Sequence, residues 1–208
     1  MRFVLATTNP HKVREIRTLL EGLDIEILGL DALPPIEAPE ETGTSFADNA
    51  ALKARYYASR TGLPAIAEDS GLEIDALGGA PGVESARFHG EHSPYPEKFA
   101  AIYAMLDSSG GRDSTARFVC AVAVADEGGV LFETRGTVEG RISPEPRGSQ
   151  GFGYDPIFFY PPEGRTLGEV PDEVKRAVSH RGGAFREVRL WLEARRKDIR
   201  GCTRSTRN

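Results

Sequence analysis

The alternation of apolar and polar positions divides the chain into short strand-like runs and longer stretches of helical spacing. Residues 2–8 read as a buried strand, short and apolar, closed by Asn9-Pro10. Residues 11–22 predict a helix, with Val13, Ile16, Leu19 and Leu20 at helical intervals and Gly22 as its stop. Residues 25–28 give a second strand, and residues 30–43 a loop rich in Pro and Glu. Ser45-Phe46-Ala47-Asp48 has the form of a capping box. It opens a helix over residues 46–60, with Phe46, Ala50, Ala54 and Tyr57 on one face.

Ala65-Ile66-Ala67 predicts a short strand that runs into a corner, Glu68-Asp69-Ser70-Gly71. A turn-rich loop at 78–82 and a helix at 97–106 follow. Residues 117–125 and 130–138 read as a strand pair about the turn Asp126-Glu127-Gly128-Gly129. A long loop, 140–154, leads to the apolar run Ile157-Phe158-Phe159, and residues 172–194 are helical. Strands and helices mixed in this way predict an α/β fold with a mixed sheet.

Composition narrows the class. The chain has 208 residues, 39% hydrophobic and 27% charged, ordinary for a soluble globular protein and long enough to bury a substantial core. No apolar run approaches the ~20 residues that span a bilayer, and the N-terminal run is too short for a signal peptide. The expected location is therefore cytoplasmic, without a membrane partner. Cys120 sits in an apolar run and Cys202 in a polar one, so no disulfide framework is expected. The four histidines lack zinc-site spacing. A net charge of −5 argues against nucleic-acid binding by bulk charge. Residues 194–208 carry +5 and the rest −10; residues 195–208 are expected to be a flexible basic tail behind a single domain at 1–194.

Four polar stretches stand at expected element ends, where sites are commonly built. Thr7-Thr8-Asn9-Pro10-His11-Lys12 joins a strand to a helix. It reads either as a plain N-cap or as a phosphate cradle of backbone N–H groups, hydroxyls and Lys12. It is not a Walker P-loop. Glu40-Glu41-Thr42-Gly43-Thr44-Ser45 precedes a helix on which Asn49 and Lys53 share a face. Its carboxylates either favour the helix dipole or supply oxygen ligands to Mg²⁺. Glu68-Asp69-Ser70-Gly71 is either a turn or an acidic corner holding a metal or activating water. The fourth stretch comprises Gly151-Phe152-Gly153-Tyr154-Asp155-Pro156, Lys175 and Ser179-His180-Arg181-Gly182. Its aromatics are core or a base-stacking platform, and its cations can meet phosphate or a carbonyl.

Each stretch alone is weak. Together and in this order, with Leu77-Gly78-Gly79-Ala80-Pro81-Gly82, they closely resemble the inosine triphosphate pyrophosphatase family over residues 2–193. These are the pyrophosphatases of non-canonical purine nucleoside triphosphates, among them the dITP/XTP pyrophosphatases. The resemblance implies an elongated two-lobed α/β fold around a long mixed sheet, with the active-site cleft between the lobes. It implies a homodimer and Mg²⁺-dependent hydrolysis of ITP, dITP or XTP to the monophosphate and pyrophosphate.

By motif, Thr7, Thr8, Asn9, Pro10, His11, Lys12 and Lys53 are expected to hold the triphosphate, and Ser70 to touch substrate. Asp69 falls at the catalytic position, and Glu40, Glu41 and Asp69, with Glu68 as a further candidate, at the metal. Phe152, Gly153, Tyr154, Asp155, Lys175, His180 and Arg181 are expected around the nucleoside. A pocket donating to the 6-carbonyl of hypoxanthine or xanthine would leave its donors unpaired against adenine. The chain departs from the family at Glu68, where many relatives carry Asp, and at His11, where a small residue is common. The alternatives are a pyrophosphatase of modified pyrimidine nucleotides and a nucleotide-binding protein without turnover.

Overall fold

The computed structural model describes the backbone of residues 1–205 and the side chains of residues 1–195. Seven strands form one sheet: β1 (Arg2–Leu5), β2 (Glu26–Gly29), β3 (Ala65–Ile74), β4 (Thr115–Asp126), β5 (Gly129–Ile142), β6 (Phe158–Tyr160) and β7 (Arg165–Thr166). The helices are α1 (Pro10–Leu19), α2 (Phe46–Thr61), α3 (Tyr95–Ser108), α4 (Asp172–Val178) and α5 (His180–Ser205). The strand order is β2-β1-β3-β4-β5-β6-β7. β1 is parallel to both its neighbours, and every later pairing is antiparallel. The expected mixed sheet is therefore present.

Local chemistry sets the helices at the site. Asn9 Oδ1 accepts from the N–H groups of His11 and Lys12 at 3.0 and 3.2 Å, and Pro10 takes the first helical position. Ser45 and Asp48 form the reciprocal capping box of α2. Both faces of the sheet are covered. Along β3 the side chains alternate: Ala65 and Ala67 pack with Phe46, Ala50, Ala54 and Tyr57 of α2. Ile66 packs with Ile16 and Leu20 of the first-helix region and with Phe185 and Val188 of α5. A third core joins the far half of β3 and β4, through Leu72, Ile74 and Phe118, to α3 and β6. Two packed ends thus lie along the long strands.

Several boundaries differ from the sequence expectation. β1 stops at Leu5 rather than 8, because its register with β3 covers only Val4–Ala65 and Leu5–Ile66. β3 does not end at Ala67: it continues through Glu68-Asp69-Ser70-Gly71, paired with β4 along its whole length. The acidic pair therefore sits within a strand, not in a turn. β5 extends to Ile142, which shortens the following loop. The last helical stretch consists of two elements, separated at Ser179, whose ψ of 152° is extended. The expected basic tail lies, beyond Arg195, outside the described side chains. Among the described residues no helix is long and apolar enough to cross a membrane.

Candidate active site

β1 lies between β2 and β3 and ends where β3 is only beginning. α1 and α2, which follow β1 and precede β3, pack on opposite faces of the sheet, so the carboxyl end of β1 is the position at which α/β sheets commonly offer a ligand crevice. The β1–α1 turn and the N-terminal half of α2 border it. The period of two along β3 sends Asp69 to the α2 face and Glu68 and Ser70 to the α1/α5 face.

On the α2 face, Lys53 Nζ stands 2.6 Å from Glu41 Oε1 and 3.2 Å from Asp69 Oδ1. Asn49 Nδ2 donates to Asp69 Oδ2 at 3.1 Å, and Asn49 Oδ1 accepts from Gly43 N–H at 2.8 Å. Asn49 and Lys53, one helical turn apart, thus grip both oxygens of Asp69. Burial pushes the Asp69 carboxyl above the ordinary range; Lys53 draws it back only in part, and Glu41 adds to the rise. For Glu41 burial acts in the same upward sense, but Lys53 and Arg87 outweigh it and hold the carboxyl below its usual value. Lys53 is raised, its burial being outweighed by Asp69 and Glu41. The cluster offers a carboxylate of enhanced basicity beside a fixed ammonium.

On the opposite face, Glu68 is buried with Lys12 Nζ 2.6 Å from Oε1, an ionic contact without hydrogen-bond alignment. Arg181 Nη2 lies 3.5 Å from Oε2, and the Cys120 thiol donates to the same oxygen at 3.3 Å. Burial opposes ionisation of Glu68, but Arg181 and Lys12 overcome it and hold the carboxyl well below its usual range. Arg181 also donates to Ser70 Oγ at 2.9 Å and to Glu15 Oε2 at 2.7 Å. The first turn of α5 is seated directly on β5 at Gly136, where any Cβ would strike the His180 carbonyl oxygen and the Ala184 nitrogen. Arg181, in this first turn, reaches Glu68 and Ser70 on the same face of the sheet.

The fourth stretch assembles around Phe152. Asp155 Oδ2 accepts from Phe152 N–H at 2.7 Å and from Lys175 Nζ at 2.5 Å. Lys175 Nζ lies 4.4 Å and Arg181 Cζ 5.6 Å from the centre of the Phe152 ring. His11 stacks on the same ring at 5.1 Å and 22°, so it belongs with the Phe152 group rather than with the Asn9 cap. A cavity of about 380 Å³ opens beside them, lined by His11, Glu15, Phe152 and Arg176. Another, of about 670 Å³, is lined by Thr7, Thr8, Pro10 and Ile36. Both flank the Asp69 cluster rather than cover it.

Three of the residues expected around the nucleoside also make structural contacts of their own. Tyr154 is buried, and its hydroxyl donates to the Ser85 carbonyl at 2.8 Å, so it anchors a loop. His180 is buried against Phe118, with ring centres 4.9 Å apart; burial first, then Arg181, keeps it neutral. Gly153 packs towards Tyr95, and Glu40 is exposed outside the cluster. Sequence reasoning missed Glu15 and Arg87. Glu15 follows Lys12 by three residues on α1, a face relation that only the position of Arg181 makes meaningful. Arg87 lies in a loop without periodicity.

The donor set bears on a metal. Glu41 and Asp69 are hard oxygen donors brought together around one cationic group, Lys53. Among the described residues no three His, Cys, Asp or Glu are gathered to hold an ion alone. The pair therefore fits an ion such as Mg²⁺, which takes one or two carboxylates and fills its shell with water and phosphate oxygens.

Comparison with known proteins follows the same lines. The sequence model of the Ham1 family matches residues 3–191. A dITP/XTP pyrophosphatase of Geobacter sulfurreducens is 45% identical, over 88% of this chain and 92% of its own length. One from Dictyoglomus thermophilum is 46% identical, over 92% and 94%. Among solved structures, a HAM1 protein from Coxiella burnetii superposes with a TM-score of 0.86 at 40% identity, covering 93% of this chain and 99% of that one. The Ham1 protein of Staphylococcus aureus does so with 0.84 at 33% identity, covering 94% and 100%.

Proposed function

The chain belongs to the Ham1 family, and from that premise we propose that it hydrolyses ITP, dITP and XTP to the nucleoside monophosphate and pyrophosphate. The observation that carries the reading is Asp69, a carboxylate of raised basicity held between Asn49 and Lys53 beside Glu41 at the crevice. A phosphate-binding protein without turnover gains nothing from two carboxylates facing its ligand. A hydrolase gains a base.

In this reading the triphosphate lies along the β1–α1 turn and the start of α1, whose N–H groups and dipole favour anions. Lys12 and Lys53 neutralise it. The Asp69 carboxylate accepts a proton from water as the water oxygen bonds to phosphorus and the bond between the α- and β-phosphoryl groups breaks, with pyrophosphate leaving. Asn49 fixes the carboxylate's rotation and Lys53 its position. Glu41 and Asp69 would hold Mg²⁺, which when bound supplies Lewis-acid stabilisation of the phosphoryl oxygens.

Phe152 offers a face for the base. Arg181 Nε, buried and without a partner among the described residues, supports donation to the 6-carbonyl. An adenine amino group would leave that donor unpaired. The resemblance also leads us to propose a homodimer; light scattering that gives only a 22.6 kDa species would refute it.

The test of the substrate class is pyrophosphate release from ITP, dITP, XTP, GTP, ATP and a modified pyrimidine triphosphate, with and without Mg²⁺. Metal-dependent release strongest with ITP, dITP and XTP is expected. Release strongest with the pyrimidine, or none despite tight binding, would overturn the reading.

A further inference from the structure

Glu41 carries two cations. Lys53 Nζ takes Oε1 at 2.6 Å, and Arg87 Nη1 takes Oε2 at 3.0 Å. The remaining edge of the Arg87 guanidinium forks onto Glu84, with Nε and Nη2 each at 3.1 Å from an oxygen. Glu84 is 58% exposed, and Glu41 only 23%. Arg87 therefore stands between an open surface carboxylate and the carboxylate that faces Lys53 and Asp69.

The backbone under Arg87 is pinned from several directions. Leu72 N–H of β3 donates to Ser85 Oγ at 2.9 Å, and that hydroxyl donates to the Gly82 carbonyl at 2.6 Å. Gly71 leaves the room for this approach: a Cβ there would strike Ser85 Oγ. The Tyr154 hydroxyl donates to the Ser85 carbonyl at 2.8 Å. Lys98, a buried lysine of α3, donates to the Ala86 carbonyl at 2.5 Å. A buried ammonium spent on the carbonyl just before Arg87 is a costly device for a loop whose side chain only decorates the surface.

Each oxygen of Glu41 carries one cation contact, so a nucleotide competing for these cations draws first on the one held less firmly. Lys53 is enclosed and also holds Asp69, whereas Arg87 is 36% exposed and has Glu84 as a second support. Arg87 is thus the cation free to move. A triphosphate presents new oxygens where the carboxylate is withdrawn, and a guanidinium edge matches phosphate as it matches carboxylate.

Resting on the proposed pyrophosphatase reading, we propose that Arg87 is a phosphate-binding cation, held on Glu41 in the unliganded protein and transferred to the distal phosphates when the nucleotide arrives. Lys12 and Lys53 then share the triphosphate with it. Tyr154 links the Phe152 segment to the backbone beneath Arg87, so the two ends of the nucleotide site are mechanically joined.

The experiment compares wild type, Arg87→Gln and Arg87→Lys by calorimetric titration with ITP and with inosine monophosphate, metal chelated. Arg87→Gln should bind ITP at least about tenfold more weakly, the loss expected for one charge-assisted hydrogen bond, with monophosphate binding unchanged. Arg87→Lys should fall between, because it keeps the charge and loses the fork. If Arg87→Gln fails to fold, the same split between ITP and monophosphate is read from Arg87→Lys alone. Equal ITP binding in the folded variant, or equal loss of both ligands, would overturn the proposal and leave Arg87 a structural tether. A wild type that binds neither ligand would overturn the pyrophosphatase reading as well, so the two failures are told apart.

Discussion

Replacing Asp69 by Asn should separate activity from stability. The side chain keeps its shape and loses its charge. A positioned general base contributes typically about 10²–10⁴-fold to a rate, which is about 3–5 kcal/mol of barrier. Pyrophosphate release should fall by that factor. Folding should change little, for two opposed reasons. Asn presents one oxygen and one NH₂ group, so Lys53 and Asn49, now at 3.2 and 3.1 Å from the two carboxylate oxygens, cannot both keep an acceptor. That loss is about 1 kcal/mol.

Against it stands the raised pKa of Asp69, caused first by burial. A carboxyl whose folded pKa lies above its unfolded one opposes folding once ionised. The penalty is absent below about 3.8, grows as pH rises from there to the folded pKa, and is full above it; Asn removes it. Calorimetric unfolding at pH 7 should therefore place the variant within about 2 kcal/mol of wild type. Turnover within a few-fold of wild type in a folded Asp69→Asn protein would refute the reasoning.

Glu68→Gln should destabilise by about 1.5–3 kcal/mol at pH 7, because it removes the carboxylate charge that Lys12 and Arg181 meet, while Arg181 keeps Glu15 and Ser70. Glu68 is depressed, so its contribution is full above about 4.5 and is lost as pH falls through the folded pKa; urea unfolding at pH 7 and 4 should show the gap narrowing. Phe152→Ala should raise the KM for ITP about tenfold, the worth of one base–aromatic stack, with little change in melting temperature. Gly136→Val should destabilise by at least about 1–3 kcal/mol, read by thermal circular dichroism, since the added atoms meet the backbone of α5.

Much of the fold is legible because the apolar period and the caps agree. The Ser45/Asp48 box and the Asn9-Pro10 start appear where the pattern puts them. Glu68-Asp69-Ser70-Gly71 misleads because polar residues and glycine read as a turn. Only the partner strand β4 and the cations of three helices make a buried extended segment tolerable there. The break at Ser179 is hidden because no Pro or Gly stands there to mark it. At the site, Lys53 and Asn49 were visible as one helix face. Arg87, Glu15 and Cys120 were not, because their partners lie far away in the chain. The anchoring contact of Tyr154 was hidden too: the tyrosine reads as core or as base-stacking platform, and nothing in the sequence marks its hydrogen bond to the distant Ser85 carbonyl.

The central claim is most directly tested by following ITP turnover with ³¹P NMR in the presence of Mg²⁺. The account predicts inosine monophosphate and pyrophosphate in equal amounts from the start, and both formed at least about a hundredfold more slowly by the Asp69→Asn protein. Inosine diphosphate with free phosphate, or undiminished products from the variant, would contradict it.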